Sequence, residues 1–201
     1  MKKTLLMLLA LIASVVAKAQ GVQTVYDITV TAQDDKSGIW MVIGEDNLAN
    51  VEELTLTGTI NGYDFMVMRD KMPNLRVLDM ENVNIVANDY EYYSGYHSSD
   101  NIITGYAFDH KGLTAVKLPK SIVAIAYASF NNCNLISIEI PSEVVDIGQF
   151  AFSNNPNLNS VDFSKCRKLN NIGAYAFSAC NLTSIRIPET ILGIGDYAFS
   201  G

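Results

Sequence analysis

From residue 103 onward one apolar pattern recurs five times, the last time incomplete. It runs Ile, four residues, Phe, and then Leu-x-x-Ile-x-Ile, usually closed by Pro. The Phe column is Phe108, Phe130, Phe152, Phe177 and Phe199, at spacings of 22, 22, 25 and 22 residues. The Ile column keeps step five residues earlier, at Ile103, Ile125, Ile147, Ile172 and Ile194. A period in the twenties marks a solenoid, because one such unit cannot bury its apolar face and stacked units can. An array of this kind offers an extended surface and no natural pocket, which favours binding or display over catalysis.

Within a unit, the apolar residues of Leu113-Thr-Ala-Val116-Lys-Leu118 alternate, as do those of Leu135–Ile140, Leu158–Phe163 and Leu182–Ile187. Alternation puts them on one face of a strand, and stacking predicts a single parallel sheet. Pro ends the strand where no ladder donor is needed. The Ile and Phe of the next turn close the core from the other side, each buried side chain contributing roughly 1.5–3 kcal/mol. Gly148, Gly173 and Gly195 suggest a tight or positive-φ turn, but Thr104 and Ala126 fill the same slot, so positive φ is not obligatory there. The outward strand positions include a charged column, Lys117, Glu139, Asp162 and Arg186, with opposite charges on neighbouring strands at its two ends. It reads first as a cross-strand charge ladder, worth about 0.2–1 kcal/mol per pair, and second as a ligand contact.

Residues 51–85 repeat in a different form. Val51-Glu-Glu-Leu54-Thr-Leu56 and Leu75-Arg-Val-Leu78-Asp-Met80 are strands 24 residues apart. Between them Asn61 can cap a helix with Asp64 in its first turn. Phe65, Met68 and Met72 share one helical face, and Pro73 ends it. Residues 20–50 do not repeat. They hold a strand at Val25–Val30, a turn at Gln33–Gly38 and the run Ile39–Ile43, which fits helix or strand; this segment is the expected N-terminal cap. Residues 86–102 interrupt the array with an aperiodic insertion carrying Tyr90, Tyr92, Tyr93 and Tyr96. These rings either fold back on the solenoid flank or stand out as adaptable contacts, for which Tyr and Ser are suited. The pattern stops inside a unit after Phe199, so a piece of a longer protein is expected.

Lys2 and Lys3, the apolar run Leu5–Val16 and Ala17-Lys18-Ala19 ahead of Gln20 form a secretory signal peptide over residues 1–19. The run is shorter than the roughly 20 residues a bilayer span needs. No long apolar stretch follows, so no membrane span is expected after cleavage. Cleavage leaves 11 of the 14 basic residues against 21 acidic ones, and an acidic surface disfavours nucleic acid as a partner. Of the three cysteines, Cys133 and Cys180 occupy one slot two repeats apart. At about 4.8 Å per strand that is too far for a disulfide, which needs Cα atoms within about 7 Å. Both are expected as buried thiols, and Cys166, outside that slot, as more exposed.

The units Ile125-Ala-Tyr-Ala-Ser-Phe-Asn-Asn-Cys-Asn-Leu-Ile-Ser-Ile-Glu-Ile-Pro141 and Ile172-Gly-Ala-Tyr-Ala-Phe-Ser-Ala-Cys-Asn-Leu-Thr-Ser-Ile-Arg-Ile-Pro188 resemble the BspA-like leucine-rich repeat family. Residues 51–85 look like the helical repeats that often precede them. The repeat at 152–163 departs from the pattern: Ser164 replaces Pro and the spacing lengthens. The expected fold is an α/β solenoid, a leucine-rich repeat with stacked parallel strands, strand–helix repeats first and short strand–turn repeats over 103–201. The resemblance implies an exported or surface protein of host-associated bacteria that adheres to a host or bacterial surface protein or matrix protein. A passive spacer displaying a downstream domain, and a module capturing polysaccharide, are the alternatives. The family has no shared catalytic residue, and the chain holds no His-Glu-x-x-His, Cys-x-x-Cys, phosphate-binding Gly-Lys-Ser/Thr or Gly-x-Ser-x-Gly motif. No enzyme activity, cofactor or metal is expected. The candidate surface is Tyr90, Tyr92, Tyr93 and Tyr96 with the charged column.

Overall fold

The computed structural model describes residues 24–201 and, ahead of them, the strand Ser14–Ala17. The rest of the expected export signal lies outside the described residues. The first half consists of β1 (Ser14–Ala17), β2 (Thr24–Val30), α1 (Gly38–Ile43), α2 (Glu45–Leu48), β3 (Val51–Ile60), α3 (Gly62–Met66) and β4 (Val77–Ile85). β1 lies antiparallel to β2, and β2, β3 and β4 are parallel. Cleavage before Gln20 would therefore leave β2 as the edge strand.

The run Ile39–Ile43 is helical. Ser37 caps α1 by accepting from Trp40 N at 3.1 Å. Asn61 caps α3, and Asp64 completes a capping box. The Asp64 carboxylate also accepts from Ser37 Oγ at 2.6 Å and from Ile39 N at 3.0 Å, beside Asn61 N at 3.1 Å. One buried acid thus ties together the N-termini of two helices, where a negative charge is favoured. α3 continues as a π-helical turn, Val67–Lys71, and stops ahead of Pro73. Phe65, Met68 and Met72 are fully buried, as their spacing requires. The open carbonyls at the end of this helix are met by Lys111, whose Nζ donates to Arg69 O at 3.0 Å and Met72 O at 2.7 Å. Burial pulls the Lys111 ammonium down to about 8.

The second half has eight short strands: β5 (Ile102–Ile103), β6 (Ala115–Lys117), β7 (Ala124–Ile125), β8 (Ser137–Glu139), β9 (Asp146–Ile147), β10 (Ser160–Asp162), β11 (Asn171–Ile172) and β12 (Gly193–Ile194). Five of them form a sheet absent from the sequence-based expectation. The Ile column, expected as turn, builds a parallel ladder β5-β7-β9-β11-β12. The expected single sheet of Leu-x-x-Ile strands is divided. β6 joins β4 and so extends the first sheet, while β8 and β10 pair separately. Neighbouring backbones stay bonded as far as Ile136 N to Thr114 O (3.2 Å) and then part. The segment 182–187 is not a strand; Asn181 N still reaches Leu158 O at 3.0 Å, and the residues after it stand apart from β10.

Between the sheets runs a stack of rings. Phe108, Phe130, Phe152, Phe177 and Phe199 lie 5.2–5.5 Å apart, with interplanar angles of 18°, 3°, 7° and 2°. Phe65 of α3 meets Phe108 edge-on at 6.0 Å and carries the stack into the first half. The residue three after each Phe donates back to the preceding rung. Cys133 Sγ reaches Phe108 O at 3.1 Å, Asn155 Nδ2 reaches Phe130 O at 2.8 Å, and Cys180 Sγ reaches Phe152 O at 3.3 Å. All three cysteines are free. Cys166 is buried rather than exposed, because the longer rung folds its turn inward and directs Sγ to Ile140 O at 3.5 Å.

The turns gain their tightness from a residue other than the expected glycine. Left-handed φ falls two residues later, at Tyr106, Ala128, Phe150, Tyr175 and Tyr197, with values of 51–58°. Gly173 serves close approach instead: a Cβ there would lie 2.6 Å from Gln149 N of the rung below.

Candidate recognition surface

The charged column points outward, but its pairing differs from the expectation. Lys117 reaches Asp79 Oδ2 on β4 at 2.7 Å, not Glu139. β6 is in register with β4, Lys117 opposite Asp79, and is not bonded to β8. This contact holds the Asp79 carboxyl below its usual range against the opposing effect of burial. Glu139 pairs with Lys165 of the long turn at 2.6 Å. Asp162 accepts from Ser164 N at 2.7 Å, which lowers its carboxyl. Arg186 stands across a polar cleft of about 570 Å³ from Asp162 and Arg167. The four residues share a face and form no continuous ladder.

The four tyrosines of the insertion are divided by the fold. Tyr92 is buried, and its hydroxyl donates to the Gly105 carbonyl. In later rungs the equivalent carbonyl is met by the rung before; Tyr106 N, for example, donates to Tyr127 O at 3.0 Å. Tyr92 thus stands in for a missing rung, and the insertion caps the strand–turn array. Tyr90 stacks on Tyr63 of α3 at 3.8 Å. Tyr93 lies under the Arg69 guanidinium, 3.4 Å from its centroid, and Arg69 Nη1 donates to Tyr106 O at 2.6 Å. Tyr96 rests on Gly105, where any Cβ would collide with the ring.

Tyr93 and Tyr96 lead into a feature that sequence reasoning missed. Both pack on Tyr106, at 5.4 and 5.2 Å. From Tyr106 a second aromatic column continues through Tyr127, Phe150, Tyr175 and Tyr197, at centroid steps of 5.2, 5.8, 5.0 and 5.1 Å. It runs along the outer turn edge, parallel to the buried Phe stack. Tyr127 is 36% exposed and Tyr197 65%. Hydrogen bonding to Tyr127 pushes the Tyr106 phenol up to about 12. The signal was present: an aromatic stands two residues before the core Phe in four units and three before it in the unit of Tyr127. The residues that follow the core Phe form a polar row from rung to rung, in which Asn131 Nδ2 donates to Asp109 Oδ1 at 2.9 Å and Asn154 Nδ2 to Asn131 Oδ1 at 3.3 Å.

A cleft of about 360 Å³ at the other end of the molecule is lined by Trp40, Met41, Tyr63, Met66 and Tyr90, with Asp35, Lys36 and Ser37 at its polar side. Its chemistry is apolar contact. Burial pushes the Cys133 thiol up to about 12 and those of Cys166 and Cys180 up to about 11. All three therefore stay protonated at neutral pH and are poor nucleophiles. Among the described residues no three His, Cys, Asp or Glu side chains come together as a metal site, and no helix is long and apolar enough to cross a membrane.

The stacked rungs make the molecule a leucine-rich repeat solenoid. The family model for the BspA type leucine rich repeat region matches residues 96–201 in six copies. That is just over half of the chain, and the chain belongs to this family. Among solved structures, it is similar to a leucine rich cell surface protein from Faecalibacterium prausnitzii A2-165, at 23% identity and a TM-score of 0.47, over 75% of this chain and 42% of that one. It is also similar to a leucine-rich repeat protein from Bacteroides ovatus ATCC 8483, at 14% identity and a TM-score of 0.44, over 94% of this chain and 49% of that one. The chain thus spans less than half the length of either. No curated protein matches it.

Proposed function

We propose that this chain is an exported adhesion module that binds another macromolecule, on a host or bacterial surface, along its outer turn edge. The observation that carries the reading is the aromatic column from Tyr93 and Tyr96 to Tyr197, in which Tyr93, Tyr127 and Tyr197 are exposed and the other rings half-buried. Aromatic rings supply large contact area with little rotamer entropy to lose, which is why they dominate recognition surfaces. A ring needed only for packing is better placed inside, where the Phe stack already fills the core. The charged strand face is the lesser candidate, since Lys117 and Glu139 already hold intramolecular partners. Export rests on the signal-like residues 1–19, and surface location on the family.

The test is solid-phase binding of the chain lacking its first 19 residues to a panel of surface and matrix proteins and polysaccharides. A triple variant, Tyr106→Ser, Tyr127→Ser and Tyr175→Ser, with circular dichroism matching the parent, is run beside it. Saturable binding lost in the variant is the expected result. Absence of binding by the parent would sink the adhesion reading and leave a spacer.

A further inference from the structure

The first sheet ends in two edges, and they are built differently. The β6 edge is three residues long and carries Lys117. Short length and a lysine keep a sheet edge from pairing with another chain. The β2 edge spans seven residues, Thr24–Val30, and carries neither Lys nor Pro. Its irregularity, between Thr24 and Val25, lies at its start. In the structure this edge is covered by β1, which runs antiparallel from Ser14 opposite Asp27 to Ala17 opposite Thr24. The other strand pairs among the described residues are parallel. β1 belongs to the expected export signal, so its removal uncovers a long edge whose backbone accepts an antiparallel strand.

That edge presents the backbone groups of Val25, Asp27 and Thr29. Val30 O lies against Gly58 of β3, where a Cβ would collide with it, and Ala32 N donates to Thr59 Oγ1 at 2.9 Å. Successive residues of a strand direct their N–H and C=O to opposite edges, so the even-numbered residues pair with β3 and the odd-numbered ones face out. Tyr26, Ile28 and Val30 are buried toward the core, while Asp27 and Thr29 are exposed. A two-fold axis perpendicular to the sheet sets two such edges antiparallel, which makes the edge complementary to itself. Side-chain alternation requires each residue to meet one of its own face, so the axis passes through a residue that faces its own copy. At Asp27 that would set like charges opposite each other, which is destabilising. At Ile28 it sets Asp27 against Thr29 of the second copy, and Tyr26 against Val30.

We propose that, once residues 1–19 are removed, β2 pairs with β2 of a second copy in an antiparallel two-fold dimer centred on Ile28. Asp27 and Thr29 of the second copy then exchange both backbone hydrogen bonds, and the symmetric pair does the same. Tyr26, Ile28 and Val30 continue the core face of the sheet across the axis. β1 blocks this surface in the uncleaved chain, so assembly follows export. The dimer carries two turn edges, and two weak sites on one particle hold a surface more tightly than one. The inference rests on the export reading and is independent of the ligand that the turn edge takes.

The experiment is sedimentation equilibrium over a concentration series, on the chain lacking residues 1–19 and on a chain lacking only residues 1–13, which keeps β1. A dimer in the first and a monomer in the second are expected. Thr29→Asp sets an acid opposite Asp27 of the second copy on both sides of the axis. Thr29 is exposed, so this variant is expected to be a monomer with circular dichroism matching the parent. Adding Asp27→Lys to it turns both pairs into opposite charges and restores the dimer. A dimer that Thr29→Asp leaves unchanged, or an equal dimer in the chain that keeps β1, would overturn the proposal. So would a monomer at every concentration; rapid hydrogen exchange of the Asp27 and Thr29 amides in that monomer would leave the edge to a strand of another protein. The intact mass of the exported protein checks the loss of residues 1–19 on its own, so the export reading and the dimer can fail separately.

Discussion

Rungs of similar length are built differently in the two halves of the molecule. Between β2 and β4 a rung has a strand of 7–10 residues and, after β3, a helix. From Ile103 onward a rung has two strands of two or three residues joined by a tight turn. The first half is held by long backbone ladders and by a buried carboxylate that caps two helices. The second has little strand to pair, so its order comes from side chains stacked rung on rung. The comparison shows why the aromatic columns occur where they do: an inner one replaces the helix as core, and an outer one uses the left-handed corner that the tight turn creates. The long-strand half has no such corner, and its outward strand residues, such as Thr29 and Thr57 at 2.8 Å, bond to each other.

The contrast can be broken first at the inner column. Phe130 lies between Phe108 and Phe152 and is fully buried. Phe130→Ala is expected to lose about 3–5 kcal/mol in urea denaturation, and hydrogen exchange should rise across the second half before the first. A smaller loss would mean that the short ladders carry more than this account gives them. In the first half the matching test is Asp64→Ala, which frees Ser37 and the amides of Ile39 and Asn61. Hydrogen bonds to a charged group are worth about 1.5–3 kcal/mol each, so a loss of a few kcal/mol with early opening of α1 and α3 is expected.

Lys111 sits at the junction of the two halves and gives a pH signature. Its folded pKa is about 8 against a usual 10.5, so between these values the unfolded chain binds more protons. Unfolding free energy therefore gains from this group as pH rises from about 8 to 10. The burial penalty is fully present below pH 8. Lys111→Met should flatten that rise in denaturation series across this window; an unchanged slope would contradict it. The smallest effect is expected on the outer column. Tyr197→Ser should change stability by no more than about 0.5 kcal/mol, as exposed positions do, which distinguishes this column from the Phe stack beside it.

The repeat, the Ile and Phe columns, buried in every unit but the last, and the Asn61–Asp64 cap were legible in the sequence because each depends on local spacing. The second sheet was not. Its strands pair only two residues per rung, and Ile-Gly reads as a turn when the neighbouring rung is unknown. The outer column was hidden by a one-residue shift at Tyr127, by Phe150 among tyrosines, and by left-handed φ at bulky residues, which local preference argues against. Tyr92 could not be distinguished from Tyr93, because its partner, the Gly105 carbonyl, becomes available only once the first rung is in place. The reach of Lys117 toward Asp79 depends on where the sheet divides, and no pattern within a single unit records that.

The most direct measurement sets the turn edge against the strand face. A variant with Tyr106→Ser, Tyr127→Ser and Tyr175→Ser, and another with Lys117→Ser, Glu139→Ser, Asp162→Ser and Arg186→Ser, are compared with the parent for binding to the same ligand-bearing surface. Both must show matched circular dichroism. Loss of binding in the tyrosine variant and retention in the charge variant is the predicted result. Retention in the tyrosine variant with loss in the charge variant would place recognition on the strand face and contradict the account.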